Sequence, residues 1–182
     1  MIWFTSDSHL GHNNIRKHCN RPFDTIEDMD ETIIKNWNEV VKPTDSVWHL
    51  GDYSWKSAGY YKRRLNGDIN LILGNHDYKR LSISDYKLFQ SINSLFEFKQ
   101  GKDLSITLCH FAMRVWNKSH FGSFHIFGHS HGKLQPFGKS VDVGIDSPWI
   151  TGHIEYRPFH IDEVVSFLNL QEKGQIHVNP KT

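Results

Sequence analysis

The chain has 182 residues, enough for one ordinary domain with a real core. Its 21 Lys and Arg against 20 Asp and Glu leave a formal charge of +1, which excludes bulk attraction to polyanions or anionic membranes as the default mode of action. Two cysteines, Cys19 and Cys109, exclude a disulfide framework, and no apolar run approaches the ~18 residues of a membrane span. With no basic-then-apolar leader, the expected setting is reducing cytoplasm, with no membrane association.

Met1 to Ser6 reads as a short buried strand, followed by a polar loop from Asp7 to Asn13. One or two helical turns are expected over Asn14 to Cys19, stopped at Arg21-Pro22. From Thr25 to Val41 the residues Ile26, Met29, Ile33, Ile34, Trp37 and Val40 recur with helical period, and Pro43 closes the segment. Ser46 to Leu50 is a second strand, ending in Gly51-Asp52. Ser57 to Leu65 is a helix stopped by Asn66-Gly67, and Ile69 to Leu73 is a third strand ending in Gly74-Asn75-His76-Asp77. That alternation is the pattern of a layered α/β protein.

The second half is richer in strands: Ser91 to Lys99, Leu104 to Cys109, Phe124 to Phe127 and Ser140 to Val143. A late helix is expected over Ile161 to Leu168, and a last strand or tail over Gln175 to Val178. No repeat or linker divides the chain, so one domain over residues 1–182 is expected, with both halves contributing to one site.

The metal-capable side chains follow the strands. Asp7 and His9 come after the first, Asp52 after the second, and Asn75, His76 and Asp77 after the third. His110 follows the strand ending at Cys109, and His129 and His131 follow the one ending at Phe127. In a layered α/β domain the C-terminal ends of the strands open on one crevice. The two-residue spacing within Asp7/His9 and His129/His131 puts both members on one side of an extended loop, and Gly51, Gly74 and Gly128 allow sharp turns beside them. An Asp-x-His or a Gly-Asp alone is commonplace; the ordered set, each block after an apolar strand, is what carries chemistry. Of the 13 histidines, His49 and His125 fall inside strands and read as hydrogen-bonded core or surface residues, while His18, His120, His153, His160 and His177 read as structural.

This order of blocks resembles the calcineurin-like metallophosphoesterases: Asp-x-His, Gly-Asp, Gly-Asn-His-Asp, His and Gly-His-x-His, all between Asp7 and His131. The opening Phe4-Thr5-Ser6-Asp7-Ser8-His9 and the run from His110 to Gly132 are similar to the compact members found in bacteria and phages. The resemblance implies a four-layer α/β/β/α sandwich of two mixed sheets with a dinuclear site at one edge. It implies that Asp7, His9 and His131 hold one divalent ion, Asn75, His110 and His129 a second, and that Asp52 bridges them. Nitrogen and oxygen donors without thiolate suit manganese, iron, zinc or nickel better than calcium, without choosing among them; manganese is the ion expected.

Such a pair of ions would turn a bridging water into hydroxide for in-line attack on phosphorus, with His76 at the leaving-group oxygen. The implied activity is hydrolysis of a phosphodiester, or of a phosphomonoester, on a nucleotide-type or other small organic phosphate. The alternatives are a nuclease on DNA or RNA, which calls for a basic, salt-sensitive groove, a phosphoprotein phosphatase, and a non-catalytic binding module. The retained ligand set disfavours the last.

One departure stands out. Many members read Gly-Asp-x-x-Asp, the last Asp orienting the catalytic histidine; here Gly51-Asp52-Tyr53-Ser54-Trp55 puts a tryptophan there. Asp77 or a backbone carbonyl is the expected substitute. Arg114 and Lys56 are candidates for the substrate phosphate, and His12 for a substrate-facing role. Tyr53, Trp55, Phe111, Trp116 and Phe121 are candidate walls for stacking a base. The segment from Ser147 to Pro158, with Trp149 and His153, could shape the pocket, cover a sheet edge or meet a partner.

Overall fold

Two mixed sheets pack against each other in the computed structural model, which describes residues 1–172; the expected tail strand at Gln175 to Val178 lies outside the described residues. In chain order the elements are β1 (Ile2–Thr5), α1 (Ile15–His18), α2 (Ile26–Val40), β2 (Ser46–His49), α3 (Ala58–Lys62), β3 (Asp68–Ile72), α4 (Asp77–Arg80), β4 (Ser91–Asn93), β5 (Leu95–Gln100), β6 (Leu104–Cys109), β7 (Phe124–Phe127), β8 (Ser140–Asp142), β9 (Phe159–His160) and α5 (Ile161–Leu170). The first sheet runs β4-β3-β2-β1-β9 and is parallel except for β9. The second runs β5-β6-β7-β8 and is parallel except for β5.

Alternation along the strands builds two cores. Trp3, Val47, Ile69 and Leu71 face the helices and pack with Met29, Ile33, Ile34 and Trp37 of α2. Phe4, Trp48 and Ile72 face the other way, onto Ile106, Leu108, Ile126 and Val141 of the second sheet and Ile161, Val164 and Leu168 of α5. The α2 helix starts where Thr25 accepts the Asp28 N–H at 3.0 Å, and its buried face follows the sequence periodicity. The far side of the second sheet is covered by the loop between β6 and β7, where Trp116 lies 5.3 Å from the buried His125 ring and Met113 N–H donates to His125 Nε2 at 3.0 Å.

Three boundaries differ from the sequence reading. The stretch Ser91 to Lys99 is not one strand: it divides at Ser94, β4 joining the first sheet and β5 the second. Apolar residues continue across the break, Ile92 packing in one core and Phe96 and Phe98 in the other, so periodicity carries no sign of the crossing. The α3 helix is shorter than expected, because after Lys62 the chain tightens into a turn, Arg64 N–H reaching Tyr61 O at 2.9 Å. The two-residue β9 is too short to leave a pattern. Among the described residues no helix is long and apolar enough to cross a membrane.

The strand ends converge. Ser6, just past β1, bridges Gly144, just past β8, in parallel, and Ile145 N–H donates to Ser6 O at 3.1 Å. The loops after β1, β2, β3, β6 and β7 therefore open at one edge of the sandwich. The frame beneath them depends on Trp37, which is fully buried and donates its Nε1–H to Asn66 O at 2.9 Å. Trp37→Ala should lower the urea unfolding free energy by about 3–5 kcal/mol; a loss under about 1 kcal/mol would mean that this helix–sheet contact does not set stability.

Candidate metal centre

Asp7 (φ 57°), His9 (φ 47°), Asp52 (φ 57°), His129 (φ 65°) and His131 (φ 50°) all have left-handed backbone. Among the described residues only eight non-glycine positions do, so five of them belong to the blocks singled out by sequence. Each costs on the order of 1–3 kcal/mol and persists only where the surroundings impose it. The loops are thus not extended, as the two-residue spacing suggested; the sharp turns fall on the candidate residues themselves. Gly51 does turn left-handed, at φ 93°, but Gly74 and Gly128 do not. Those two are needed for space. A Cβ on Gly74 would overlap Asp52 Oδ1, and one on Gly128 would overlap Ser6 Oγ and come within 2.5 Å of Asp7 Oδ2.

The side chains converge around Asp52. Its Oδ2 lies 3.6 Å from His9 Nε2, 3.6 Å from His110 Nε2 and 3.9 Å from His76 Nε2, and its Oδ1 accepts the His76 backbone N–H at 3.0 Å. Asp7, His9 and His131 form one tight grouping, Asp52, His110 and His129 another. Asp7 Oδ1 is 3.9 Å from both His9 Nε2 and His131 Nε2. Asn75 joins the second grouping through Oδ1, 3.1 Å from His110 Nε2.

Buried carboxylates hold this arrangement; the sequence reading named Asp77 in another role and missed Asp142, Asp146 and Arg21. Asp77 does not touch the His76 ring; it accepts the backbone N–H groups of Asp52 (2.7 Å), Tyr53 (3.0 Å) and Gly74 (2.8 Å), clamping two of the loops together. Asp142 accepts Ser130 Oγ–H and the N–H groups of Gly132 (2.9 Å) and Gly144 (2.7 Å). Asp146 accepts His131 Nδ1 at 2.7 Å and the Arg21 guanidinium at 2.8 Å, while Arg21 also donates to Asp7 O and Ser8 O. The available signal was a carboxylate within an apolar run, Val141-Asp142-Val143-Gly144-Ile145-Asp146, because an aspartate there must find buried partners.

The electrostatics suit a cation. Burial pushes the Asp7 carboxyl well above the usual range, against the pull of His131. Burial, then Arg21 and His131, hold the His9 imidazole well below its usual value. Asp7 Oδ1 and His9 Nε2 are both buried, and neither has a hydrogen-bond partner. His110 Nδ1 donates to Leu50 O at 2.7 Å, so in the neutral ring Nε2 is a lone pair facing the acceptor Asn75 Oδ1. Burial works against charge on His131, yet the bond to Asp146 carries it up to about 10; a cation held at Nε2 would take the place of that proton. These unsatisfied nitrogen and oxygen atoms fit divalent metal ions. A third grouping, Cys19, His131 and Asp146, does not fit, because Arg21 already occupies the carboxylate and its charge opposes a cation.

No family model matches the chain. An uncharacterised protein of Methanocaldococcus jannaschii is 33% identical over 189 residues, spanning 96% of this chain and 93% of its own. The chain belongs to that protein's family. The gene 66 protein of Mycobacterium phage L5 is 28% identical, spanning 96% of this chain and 98% of its own. Among solved structures, a protein of unknown function from Aquifex aeolicus has the same fold, with a TM-score of 0.67, 24% identity and coverage of 91% of this chain and 98% of its own. A predicted phosphoesterase from Streptococcus pneumoniae TIGR4 and a Vps29 mutant from Entamoeba histolytica superpose at TM-scores of 0.42 and 0.44 with 16% identity, too remotely to argue from.

The remaining candidates of this family member separate clearly. The His12 ring lies at the site, 5.4 Å from His9 and 6.5 Å from His76. Lys56 lines a cavity on the helix side with Asp30, Glu31, Tyr61 and Arg64. Arg114 lines another, of about 430 Å³, with Met113, Leu134 and Phe137. Tyr53 and Trp116 are buried core, whereas Phe111 is exposed and meets the His129 ring edge-on at 4.9 Å, and Phe121 is exposed. From the Ser147 to Pro158 segment, Trp149 donates to Gly132 O at 3.0 Å and so braces the last histidine loop. His153 is exposed beside Glu155.

Arg21→Met should cost about 3–5 kcal/mol, because it leaves Asp146 buried without its cation. Adding Asp146→Leu should restore part of the loss. Urea unfolding of the two variants measures this, and a double variant less stable than the single one would show that Asp146 stabilises the fold through His131 rather than through its pairing with Arg21.

Proposed function

We propose that this protein is a divalent-metal-dependent phosphoester hydrolase of the metallophosphoesterase type, with a phosphodiester favoured over a phosphomonoester. The observation that carries the reading is the set of five left-handed Asp and His residues, Asp52 and the four around it, with buried Asp7 Oδ1 and His9 Nε2 lacking partners. Backbone strain repeated at one place is expected where function holds it.

Asp7, His9 and His131 would hold one ion, Asn75, His110 and His129 a second, and Asp52 both, with manganese expected and iron, zinc or nickel as alternatives. When bound, the ions lower the pKa of a coordinated water and neutralise charge on the phosphate oxygens. The chain's own groups do the rest. Asp146 and Leu50 O fix the tautomers of His131 and His110, so that each presents Nε2 to the site. His76, 38% exposed and 3.9 Å from Asp52 Oδ2, holds the proton destined for the leaving-group oxygen. The exposed Phe111 beside His129 suits a small organic phosphate carrying a planar group, such as a nucleotide.

Hydrolysis of bis(p-nitrophenyl) phosphate and p-nitrophenyl phosphate, after metal stripping and reloading with manganese, nickel, zinc or magnesium, tests the reading. Turnover should require metal, with two ions per chain by elemental analysis. Asp52→Asn should abolish it, and His76→Ala should lower it about 100-fold or more on a demanding ester. A chain that binds no divalent metal would overturn the proposal.

A further inference from the structure

The His76 ring is held without a hydrogen bond. Among the described residues its backbone N–H has a partner, Asp52 Oδ1, but its ring makes no hydrogen bond; its neighbours are the Asp52 carboxylate at 3.9 Å and the rings of Trp55 (5.1 Å, tilted 57°), His9 (5.5 Å) and His12 (6.5 Å). A half-exposed imidazole with no hydrogen bond turns freely unless packing stops it.

Trp55 is built to stop it. Its backbone N–H donates to Leu10 O at 2.8 Å, and Ser54 bridges Leu10, tying the residue to the loop that carries Asp7 and His9. The His12 ring lies parallel to the indole, 3.8 Å away at 6°, and the Arg80 guanidinium carbon lies 3.7 Å from the ring centre. Two groups so close to one centre cannot share a face, so they cover both faces of the indole. Trp55 is therefore closed to a substrate base, contrary to the stacking role expected from sequence, and its edge is what remains for His76. Arg80 sits in the turn of helix opened by His76 itself, so the stack joins the first and third loops across the tryptophan.

We propose that Trp55, clamped between His12 and Arg80, is the positioning residue for His76, doing by ring packing what a carboxylate partner does by hydrogen bonding. The packing claim stands on geometry alone, whereas its catalytic consequence rests on the function proposed above. A leaving group that departs as a stable anion needs no proton, but an alkoxide does. A correctly placed His76 therefore matters most for esters of ordinary alcohols, the class to which sugar and nucleoside phosphates belong.

Two measurements on the full chain separate the claims. The first is side-chain NMR of the histidine rings in the native protein, Trp55→Phe and Trp55→Ala, with His76→Ala used to assign the signals. His76 should give one dispersed ring environment in the native protein and in Trp55→Phe, and a shifted, averaged one in Trp55→Ala. Unchanged His76 ring signals in Trp55→Ala would overturn the positioning claim, whether or not any ester is hydrolysed.

The second compares kcat on a p-nitrophenyl phosphodiester with kcat on a nucleoside alkyl phosphodiester, at equal metal content. Trp55→Ala should lose about tenfold more on the alkyl ester than on the aryl ester, Trp55→Phe should recover most of it, and Trp55→Ala with His76→Ala should be no slower than His76→Ala alone. Equal losses on both esters, or additive losses in the double variant, would overturn the catalytic role. Failure of the native protein to hydrolyse either ester with any metal would remove the proposed function and that role together, leaving the packing claim to the NMR result.

Discussion

The distance between the loops governs everything else in this molecule. Ligand-type side chains from the ends of five strands can meet only if their backbones come closer than ordinary residues allow. At Gly51 a Cβ would stand 2.5 Å from Gly74 N, and at Gly128 one would stand 2.5 Å from Asp7 Oδ2. The first contact ties two strand ends of one sheet, and the second ties that sheet to the other. With the backbones in place, Asp52 reaches histidines from both sheets, His9 from the first and His110 from the second, each at 3.6 Å. The central position of Asp52 is thus a consequence of main-chain proximity before it is a matter of side-chain choice.

That proximity brings its own cost, because polar backbone at the centre of a sandwich must find partners. Buried carboxylates meet the need. Asp77 takes three N–H groups from the loops after β2 and β3, and Asp142 takes two from the loops at the second sheet. Asp7 uses one oxygen in the same way, accepting His129 N–H at 2.8 Å, and keeps the other unpaired toward the site. The loops after β1, β2 and β7 are thereby held in left-handed turns that their own residues disfavour. A site fixed at the backbone needs little rearrangement to receive a charged ligand.

Sequence and structure agree where the signal is local and diverge where it depends on crossing chains. The blocks around Asp7, Asp52, Asn75, His110 and His129 were legible because each follows a strand whose apolar run is unmistakable, and parallel strands must deliver their ends to one edge. Two mixed sheets were expected from the family resemblance, and two are present. The passage from β4 to β5 was hidden, since Ser94 separates segments that are apolar on both sides and belong to different sheets. Arg21 and Asp146 were hidden for a different reason: they pair across 125 residues of sequence, so a carboxylate in an apolar run shows that a partner is needed but not which one. Left-handed turns, rather than the extended loops that the spacing suggested, aim Asp7 with His9 and His129 with His131.

The tryptophan at position 55 shows how the same frame admits two chemistries for one task. A carboxylate there would add negative charge next to Asp7 and Asp52, and it would need a donor to justify its burial. An indole needs neither, and it brings area for packing in return. Its weakness is direction, since ring contacts restrain a neighbour less sharply than a hydrogen bond does. The remedy is to fix the indole from both sides, with a ring from the first loop and a guanidinium from the third. Because His12 and Arg80 each belong to a loop that also carries a metal-capable residue, movement of either loop is transmitted to Trp55, and through it to His76. The aromatic stack therefore couples the placing of the His76 ring to the integrity of the loops that carry Asp7, His9 and Asn75, a coupling that a carboxylate within the Asp52 loop alone would not supply.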